Sequence, residues 1–165
     1  MSLASGTMGK LAARIYDLQM RLAARQLNPR RRSVAGGARG RILEIGIGTA
    51  QNAPFYSSAA TVVGIDPDPA MLARGARRIQ ETADDLHLVA ASGDALPFKD
   101  HTFDDAVVTL VLCSVDSQEQ VLHEVRRILK PGGRLHFLEH VRSDAPGWAW
   151  LQDVLTPAWK KIASG

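Results

Sequence analysis

The stretch Arg41-Ile42-Leu43-Glu44-Ile45-Gly46-Ile47-Gly48-Thr49-Ala50 decides the fold. A short apolar run ends in a carboxylate and then turns through two closely spaced glycines, which predicts a β-strand that feeds a ligand-binding turn. Backbone amides can approach a ligand closely at glycine, and a carboxylate at a strand end accepts hydrogen bonds from hydroxyl or ammonium groups. The expected ligand therefore carries a ribose and an amino acid rather than a pyrophosphate.

The spacing of these glycines argues against a nicotinamide dinucleotide. The dinucleotide fingerprint is G-x-G-x-x-G, and Gln51 stands where its third glycine belongs. Taken alone, a Gly-x-Gly turn also fits an ordinary connection between a strand and a helix. The rest of the chain has to decide between these interpretations.

Composition sets the outer bounds. The chain has 165 residues, which is enough for one domain with a substantial core. Its single cysteine, Cys113, cannot form an internal disulfide and is typical of a reducing compartment. The sequence contains no run of eighteen apolar residues that could span a bilayer. We therefore expect a cytoplasmic protein.

The net charge of +3 hides an asymmetry along the chain. Residues 1–41 hold nine Lys or Arg and one acid, whereas the remaining 124 residues hold eleven basic and sixteen acidic side chains. A basic arm of this kind can bind nucleic acid or an anionic membrane surface. Tyr16 is the only aromatic residue in it, which argues against stacking on bases and hence against nucleic acid.

We divide the chain into four segments. Residues 1–8 are small and polar and are expected to form a disordered leader. Residues 9–38 predict an amphipathic helix that stops at Asn28-Pro29, because proline disfavours helix in the residue before it, and then a solvated basic linker containing Arg30–Arg32. We interpret the helix as a cap on the core, with a lid or membrane-surface role as the alternative. Residues 39–143 form the core, and residues 144–165 predict a Trp-rich helix.

Within the core, β-rich and helical patterns alternate, which predicts an α/β fold with a doubly wound, mostly parallel sheet. One helix is predicted from Asp68-Pro69 to about Glu81, and another from a capping box at Asp116–Glu119 to Lys130. The predicted strands are Ile42–Ile45, Thr61–Ile65, Leu86–Ala90, Asp104–Leu112 and Arg134–His140.

Polar signals follow three of these strands. Glu44 and the glycine turn follow the first strand, Asp66 ends the second, and Ser92–Ala95 follows the third. Ligands of doubly wound sheets bind at the carboxyl ends of the strands. Each acid alone is also compatible with a helix cap or a solvated loop, but in this order they form a specific pattern.

At these residues the sequence resembles the class I S-adenosylmethionine-dependent methyltransferases, specifically the type 11 methyltransferase domain. The resemblance implies a Rossmann-like core, S-adenosylmethionine as cofactor, S-adenosylhomocysteine as product and a small-molecule substrate. The motifs lie roughly between Tyr16 and His140: Glu44–Ala50, Asp66 after Val63–Ile65, Gly93–Phe98, Phe103–Val108 and Leu129–Gly133.

Within that family, the chain is most similar to the alkyl-thiol-methyltransferase-like branch. The stretches that carry this narrower resemblance are Thr109–Val115, Leu138–Val141 and Leu151–Trp159. A more distant likeness is to bacterial phospholipid N-methyltransferases and quinone-biosynthesis C-methyltransferases. The Asn/Asp-Pro-Pro-Tyr/Phe motif of many DNA and protein amino-methyltransferases is absent after the fourth strand.

The resemblance assigns roles to individual residues. It implies that Asp66 binds both ribose hydroxyls and that Asp94 accepts from the adenine amino group beside the Ala95 amide. Gly46 and Gly48 would pack against the methionyl part. Glu44 would support the turn, main chain around Thr109–Leu110 would receive the ammonium group, and Pro67 and Met71 would enclose the adenine, with a core role for Met71 as the alternative. The full implied set is Tyr16, Glu44, Gly46, Gly48, Thr49, Asn52, Asp66, Pro67, Met71, Asp94, Ala95, Thr109 and Leu110.

The remaining expectations concern the chemistry of the site and the packing of the glycine turn. The sulfonium is already an activated methyl donor, so only the acceptor needs a base, and His140 oriented by Glu139 is the candidate pair. The alternative is a strand-end histidine without a chemical role. Cys113 is expected to be a buried core thiol rather than a nucleophile, and no metal site is predicted. Ala50 stands where the family most often has glycine, and its methyl group requires the next helix to lie slightly farther from the turn.

Family members normally continue into two more strands that form an antiparallel hairpin, and we expect this chain to lack them after its fifth strand. An exposed edge there could pair with another copy. The predicted function is methyl transfer to a small or lipophilic acceptor, with a thiol preferred. The alternatives are a cofactor-binding but catalytically silent domain and a membrane-surface adaptor that uses the basic helix and the Trp-rich tail.

Overall fold

The computed structural model describes residues 23–82 and 85–139. Its strands form one five-stranded sheet in the order β3-β2-β1-β4-β5, and every neighbouring pair is parallel. This confirms the predicted doubly wound topology. The strands are β1 (Arg41–Ile45), β2 (Thr61–Asp66), β3 (Leu86–Ala90), β4 (Phe103–Thr109) and β5 (Leu129–Leu138). The helices are α1 (residues 23–35), α2 (Pro69–Thr82) and α3 (Gln118–Ile128), with a 3-10 turn at Ala53–Phe55.

The sheet is covered on both faces, which explains the near-continuous apolar runs of its central strands. On one face, Leu43 and Val108 pack in a cluster with Val121 of α3. On the other face, Ile42 and Val107 belong to a second cluster. The first strand and the fourth lie side by side at the centre, so the topological switch point falls between their carboxyl ends.

Helix α1 does not stop where the sequence predicted. It continues through Asn28-Pro29 to residue 35, and Arg31, predicted to lie in a solvated linker, is only 4% exposed. The physical reason is a tertiary contact: Arg31 Nη1 donates to Asn52 Oδ1 at 2.9 Å, and Ala35 is fully buried. Packing of this kind overrides a local preference that is worth only a few kcal/mol.

The last two strands also differ from prediction at their ends. Strand β4 ends at Thr109, because Leu110 has a φ of 60° and turns the chain away. Strand β5 begins early, at Leu129, and its register shifts between the Phe103–Leu129 and Asp105–Arg134 pairs. The Pro-Gly-Gly segment therefore interrupts the ladder in a strand that lies at the edge of the described sheet, where proline is tolerated. Its predicted end at His140 lies outside the described residues.

Both predicted helix starts are present, with one shift. The Asp68 carboxylate caps α2, since its Oδ1 accepts from Ala70 N at 2.7 Å, and Pro69 occupies the first helical position as expected. Ser117 rather than Asp116 caps α3, by accepting from Gln120 N at 3.2 Å. The predicted leader and the Trp-rich helix lie outside the described residues. In the described part of the chain, no helix has the length and apolarity that a membrane span needs.

Candidate cofactor-binding site

The glycine turn after β1 uses left-handed backbone at alternate residues. Gly46 has a φ of 64°, Gly48 of 55° and Ala50 of 56°. A side chain on Gly46 would overlap the methyl groups of Val111, so glycine is needed for close packing there. A Cβ on Gly48 would not be crowded, since its nearest neighbours, Asp66 Oδ2 and Gly46 O, would lie at ordinary contact distances of 3.9 and 4.0 Å. The turn therefore leaves space for a ligand beside a carboxylate.

Ala50 holds a conformation that costs an alanine on the order of 1 kcal/mol. Its methyl group is fully buried, and the structure makes room for it through Gly75 of α2. A Cβ on Gly75 would lie 3.0 Å from Gly48 O and 3.5 Å from the Ala50 Cβ. The departure from the usual glycine at position 50 is thus matched by a glycine on the helix that packs against the turn.

Asp66 ends β2 beside Gly48. Its Oδ2 accepts from Gly48 N at 3.0 Å, and its Oδ1 accepts from Asp68 N at 2.9 Å. Partial burial raises the pKa of Asp66, and these two backbone hydrogen bonds oppose the rise. Each carboxylate oxygen can accept more than one hydrogen bond, so both can still receive a hydroxyl group from the open side.

Pro67 and Met71 lie next to this carboxylate in the chain. Pro67 is exposed and Met71 is half-buried, whereas Leu72 packs against the core. Met71 lies outside the core clusters of the described residues, and its role as a ligand contact or a core residue stays a prediction.

Glu44 lies behind the turn in a buried network. Its Oε1 accepts from Asn52 Nδ2 at 2.8 Å, and its Oε2 accepts from the Tyr56 hydroxyl at 2.7 Å. Asn52 Nδ2 also donates to Thr109 Oγ1 at 2.9 Å, and Asn52 Oδ1 accepts from Arg31. The network therefore joins β1, the 3-10 turn, the end of β4 and α1.

Burial dominates the electrostatics of this network. It raises the pKa of Glu44 to about 7, although the hydrogen bonds from Tyr56 and Asn52 and the charge of Arg31 act in the opposite direction. Burial and the neighbouring Glu44 raise the pKa of Tyr56 well above its ordinary value, so the phenol stays neutral and donates. Sequence reasoning missed Arg31, because a residue in an arginine run normally lies in solvent. It also missed Tyr56, which belongs to none of the motifs.

The loop after β3 crosses the end of β1. A Cβ on Gly93 would lie 2.9 Å from Ile45 Cγ2, which requires glycine for this approach. The side chains of Asp94 and Ala95 that follow are exposed. They stand at the same sheet edge as Gly48 and Asp66, as predicted from the order of the strands.

A row of side chains on α3 holds the backbone of that loop. Gln120 Nε2 donates to Asp94 O at 3.2 Å, and Glu124 Oε2 accepts from Leu96 N at 2.8 Å. Arg127 Nη2 donates to Leu96 O at 3.1 Å, while its Nε pairs with Glu124 at 2.7 Å. The Arg127 guanidinium lowers the pKa of Glu124 to about 2. The sequence signal for this row is the spacing of three, four and seven residues along one helix face.

Glu139, which directly follows β5, holds the loop that leaves β4. Its Oε1 accepts from Val111 N at 2.8 Å and from Leu112 N at 2.9 Å. Cys113, in the same loop, is exposed, so the expectation of a buried thiol was wrong: the chain leaves the sheet at Leu110, before Cys113 can enter the core. Partial burial of the sulfur and the charge of Glu139 raise the pKa of Cys113, which makes it a poor nucleophile.

The predicted site residues that the structure describes lie together at the carboxyl ends of the strands. They differ in how exposed they are to solvent. Glu44, Thr49, Asn52 and Thr109 are buried, so their side chains support the turn from within. The remaining members lie at or near the open edge: Gly46, Gly48, Asp66, Pro67, Met71, Asp94, Ala95 and Leu110. Tyr16 and His140 lie outside the described residues. Within residues 23–82 and 85–139, no group of three or more His, Cys, Asp or Glu could hold a metal ion.

This fold and this edge define a class of protein. Residues 43–137 match the methyltransferase domain family, and because that span is more than half of the chain, the chain belongs to this family, the class I S-adenosylmethionine-dependent methyltransferases. S-adenosylmethionine is accordingly its cofactor.

Individual proteins similar to this chain allow a more specific comparison. The chain is 38% identical over 159 residues to thiol S-methyltransferase TMT1A from Homo sapiens, with 92% of this chain and 64% of that protein covered. It is 40% identical over 135 residues to thiol S-methyltransferase TMT1B from Homo sapiens, with 78% and 55% covered. It thus spans less than two thirds of either protein. A solved S-adenosylmethionine-dependent methyltransferase of Thermotoga maritima shares the fold at a TM-score of 0.65 and 22% identity, over 92% of this chain and 69% of that one.

Proposed function

We propose that this protein transfers a methyl group from S-adenosylmethionine to a small or lipophilic acceptor, with a thiol as the preferred class. The cofactor assignment rests on the left-handed turn at Gly48, where a Cβ would not be crowded and where the Asp66 carboxylate lies beside the turn at the switch point of the sheet. The acceptor class rests on similarity to two human proteins that are both thiol S-methyltransferases.

The residues at the edge suit this cofactor chemically. Asp66 would accept both ribose hydroxyls, and Asp94 with the Ala95 amide would bind the adenine edge between Pro67 and Met71. These are acceptors placed where hydroxyl and amino donors are expected, and none of them duplicates a phosphate-binding cradle.

The methionyl end would lie over the glycine turn. It would pack against Gly46 and Gly48, with the room for it at Gly48, and its ammonium group would be received by main chain at Thr109–Leu110. The Leu110 N–H donates to Leu138 O at 2.8 Å. The main-chain groups that can accept from an ammonium group at this segment are its carbonyl oxygens. Carbonyl oxygens are suitable partners for an ammonium group.

The chemistry asks little of the protein beyond alignment. The cofactor supplies a methyl group activated on a sulfonium, and the chain's residues hold the acceptor in line with it and exclude water. A thiol has a pKa of about 8.5 and loses its proton with little help. We retain His140 as the proposed base and Tyr16 as a proposed cofactor contact.

Calorimetric titration of S-adenosylhomocysteine tests the cofactor site. Asp66→Ala should weaken binding about a hundredfold, because two hydrogen bonds to a charged group are lost. Asp104→Ala is the matched control: Asp104 Oδ2 accepts a backbone N–H from Arg41 at 2.8 Å, at the start of β4 rather than at the site. Binding that survives Asp66→Ala, or a folded wild type that does not bind, would show that the site is assigned incorrectly.

An acceptor screen tests the reaction. Methyl transfer to an alkyl thiol should exceed transfer to the corresponding alcohol and amine, and the rate should rise with pH as the thiol ionises. Cofactor binding without methylation of any acceptor would instead indicate a catalytically silent domain.

Location and partners are also proposed rather than derived from the site. We propose a cytoplasmic protein, supported by the single cysteine, which is an exposed free thiol. Peripheral membrane contact is supported by the exposed Arg25, Arg30 and Arg32 of α1, and a homodimer by β5, whose neighbour in the described sheet is β4 alone. Salt-sensitive sedimentation with anionic vesicles tests the first contact, and sedimentation velocity tests the second.

A further inference from the structure

Three consecutive backbone amides follow β4, and the end of β5 binds all of them. Leu110 N donates to Leu138 O at 2.8 Å, and the next two amides, of Val111 and Leu112, converge on Glu139 Oε1 at 2.8 and 2.9 Å. Leu110 itself has a φ of 60°, a strained conformation for a leucine. The chain therefore leaves the sheet through a turn that is held from one neighbouring strand.

Two N–H groups that point at one spot form a small anion-binding concavity. A carboxylate oxygen fits it well, because hydrogen bonds to an ionised acceptor are stronger than neutral ones. Glu139 is half-buried, so the bonds that it accepts are partly shielded from competing water. Without this acceptor, the two amides would have to be satisfied by water or by a different course of the loop.

The loop that Glu139 holds presses on the cofactor turn. Val111 lies so close to Gly46 that a side chain on the glycine would overlap its methyl groups. The loop is tied at two further points: Ser114 N donates to Val111 O, and Gln118 Nε2 donates to Leu112 O, each at 2.9 Å. The position of Val111 against Gly46 is thus set through Glu139 and these two contacts.

We propose that Glu139 is a positioning residue, which fixes residues 110–114 and through Val111 sets both the glycine turn and the wall of the methyl-transfer site. This proposal rests on the proposed function. It gives Glu139 a role different from orienting a histidine. A positioning role needs an acceptor at Oε1, whereas a role in proton transfer needs a group that titrates.

Two substitutions separate these roles. Glu139→Gln keeps an oxygen that can accept from both amides. It should leave kcat and KM within about threefold of wild type and should not change the shape of the pH profile. Glu139→Ala removes the acceptor and should lower kcat/KM by about tenfold to a hundredfold, as expected for misplaced reacting groups. Hydrogen exchange at the Val111 and Leu112 amides should accelerate in the alanine variant and remain slow in the glutamine variant.

The matched control is again Asp104→Ala, which removes a carboxylate that accepts a backbone N–H away from the site. It should lower thermal stability without changing exchange at Val111 and Leu112. Equal damage from the glutamine and alanine variants, with a displaced pH profile, would overturn the proposal in favour of proton chemistry. Unchanged exchange in Glu139→Ala would overturn it as well.

The outcome does not depend on finding the acceptor. If wild type binds S-adenosylhomocysteine but methylates nothing, the proposed function fails, while exchange and affinity still test the loop. Under the proposal, Glu139→Ala weakens S-adenosylhomocysteine binding by about tenfold through Gly46, and Glu139→Gln does not.

Discussion

Glu44 and Asp66 lie at the carboxyl ends of neighbouring strands, but their surroundings give them different roles. Asp66 is partly exposed and accepts from the Gly48 amide, whereas Glu44 is 3% exposed and bonded to Asn52 and Tyr56. Burial raises the pKa of Glu44 to about 7, so its proton is held far more tightly than in the unfolded chain. One acid is available to a ligand, and the other determines the geometry behind it.

The Glu44 shift predicts a pH dependence of stability. Its folded pKa, about 7, lies above the unfolded value of 4.5, so the folded state binds more protons between these pH values. Its contribution is therefore greatest below pH 4.5 and is lost as the pH rises through 7, by an amount on the order of 3 kcal/mol. Urea denaturation from pH 4.5 to 8 should show this decline in wild type and a much flatter curve in Glu44→Gln. Parallel curves would contradict the assignment.

Individual residues differed in how far the sequence could predict them. Asp66 and Gly48 follow from local pattern, because a strand end and a tight turn are encoded in adjacent residues. Arg31 could not be found this way, since its partner Asn52 is 21 positions away and nothing in an arginine run indicates burial. Leu110 is similar: its left-handed backbone depends on contacts with β5 that form only in the folded chain.

Among the elements, α2 and the glycine turn are closely fitted at Gly75. Gly75 lies where a Cβ would press on Gly48 O and would also contact the Ala50 methyl group. The bounds of β3 and the start of α2 were predicted correctly, because alternation and capping are local signals. The contact between α2 and the turn is not local, and the sequence gives no sign of it.

Gly75→Ala tests that contact. In an unconstrained helix this change stabilises by about 1 kcal/mol. Here it should destabilise by about 1–3 kcal/mol, because the added Cβ would lie 3.0 Å from Gly48 O in a packed region. Ala50→Gly in the same chain should recover part of the loss, since it removes the facing methyl group. Thermal denaturation of the two single variants and the double variant measures the coupling, and strict additivity would refute it.

At the scale of the whole molecule, the site is assembled from segments far apart in the chain. Its parts follow β1, β2, β3 and β4, which the order β3-β2-β1-β4-β5 brings to one edge. The sequence predicted this assembly because parallel topology fixes which strand ends meet. It could not predict the supports behind the edge, namely the α3 row and the Glu139 anchor, which depend on side-chain directions in three dimensions.

A site assembled in this way should bind only the folded chain. S-adenosylhomocysteine at a hundred times its dissociation constant should therefore stabilise wild type by about 2.7 kcal/mol, seen as a higher midpoint of thermal unfolding. Asp66→Ala, which we expect to bind about a hundredfold more weakly, should gain only about 0.4 kcal/mol at the same ligand concentration. Asp104→Ala should shift like wild type from a lower starting point. A shift in Asp66→Ala equal to that of wild type would mean that the ligand binds elsewhere.

The hydrogen bond between Arg31 and Asn52 links helix α1 to the buried network behind the cofactor turn. Helix α1 closes the network from its side, and a force that draws α1 away would admit water to Glu44 and loosen Asn52. Linkage between two sites is reciprocal. A contact that stabilises the position of α1 would therefore raise the affinity for the cofactor. Cofactor binding would in turn stabilise that position of α1, so binding at the exposed arginines of α1 would change the affinity at the glycine turn.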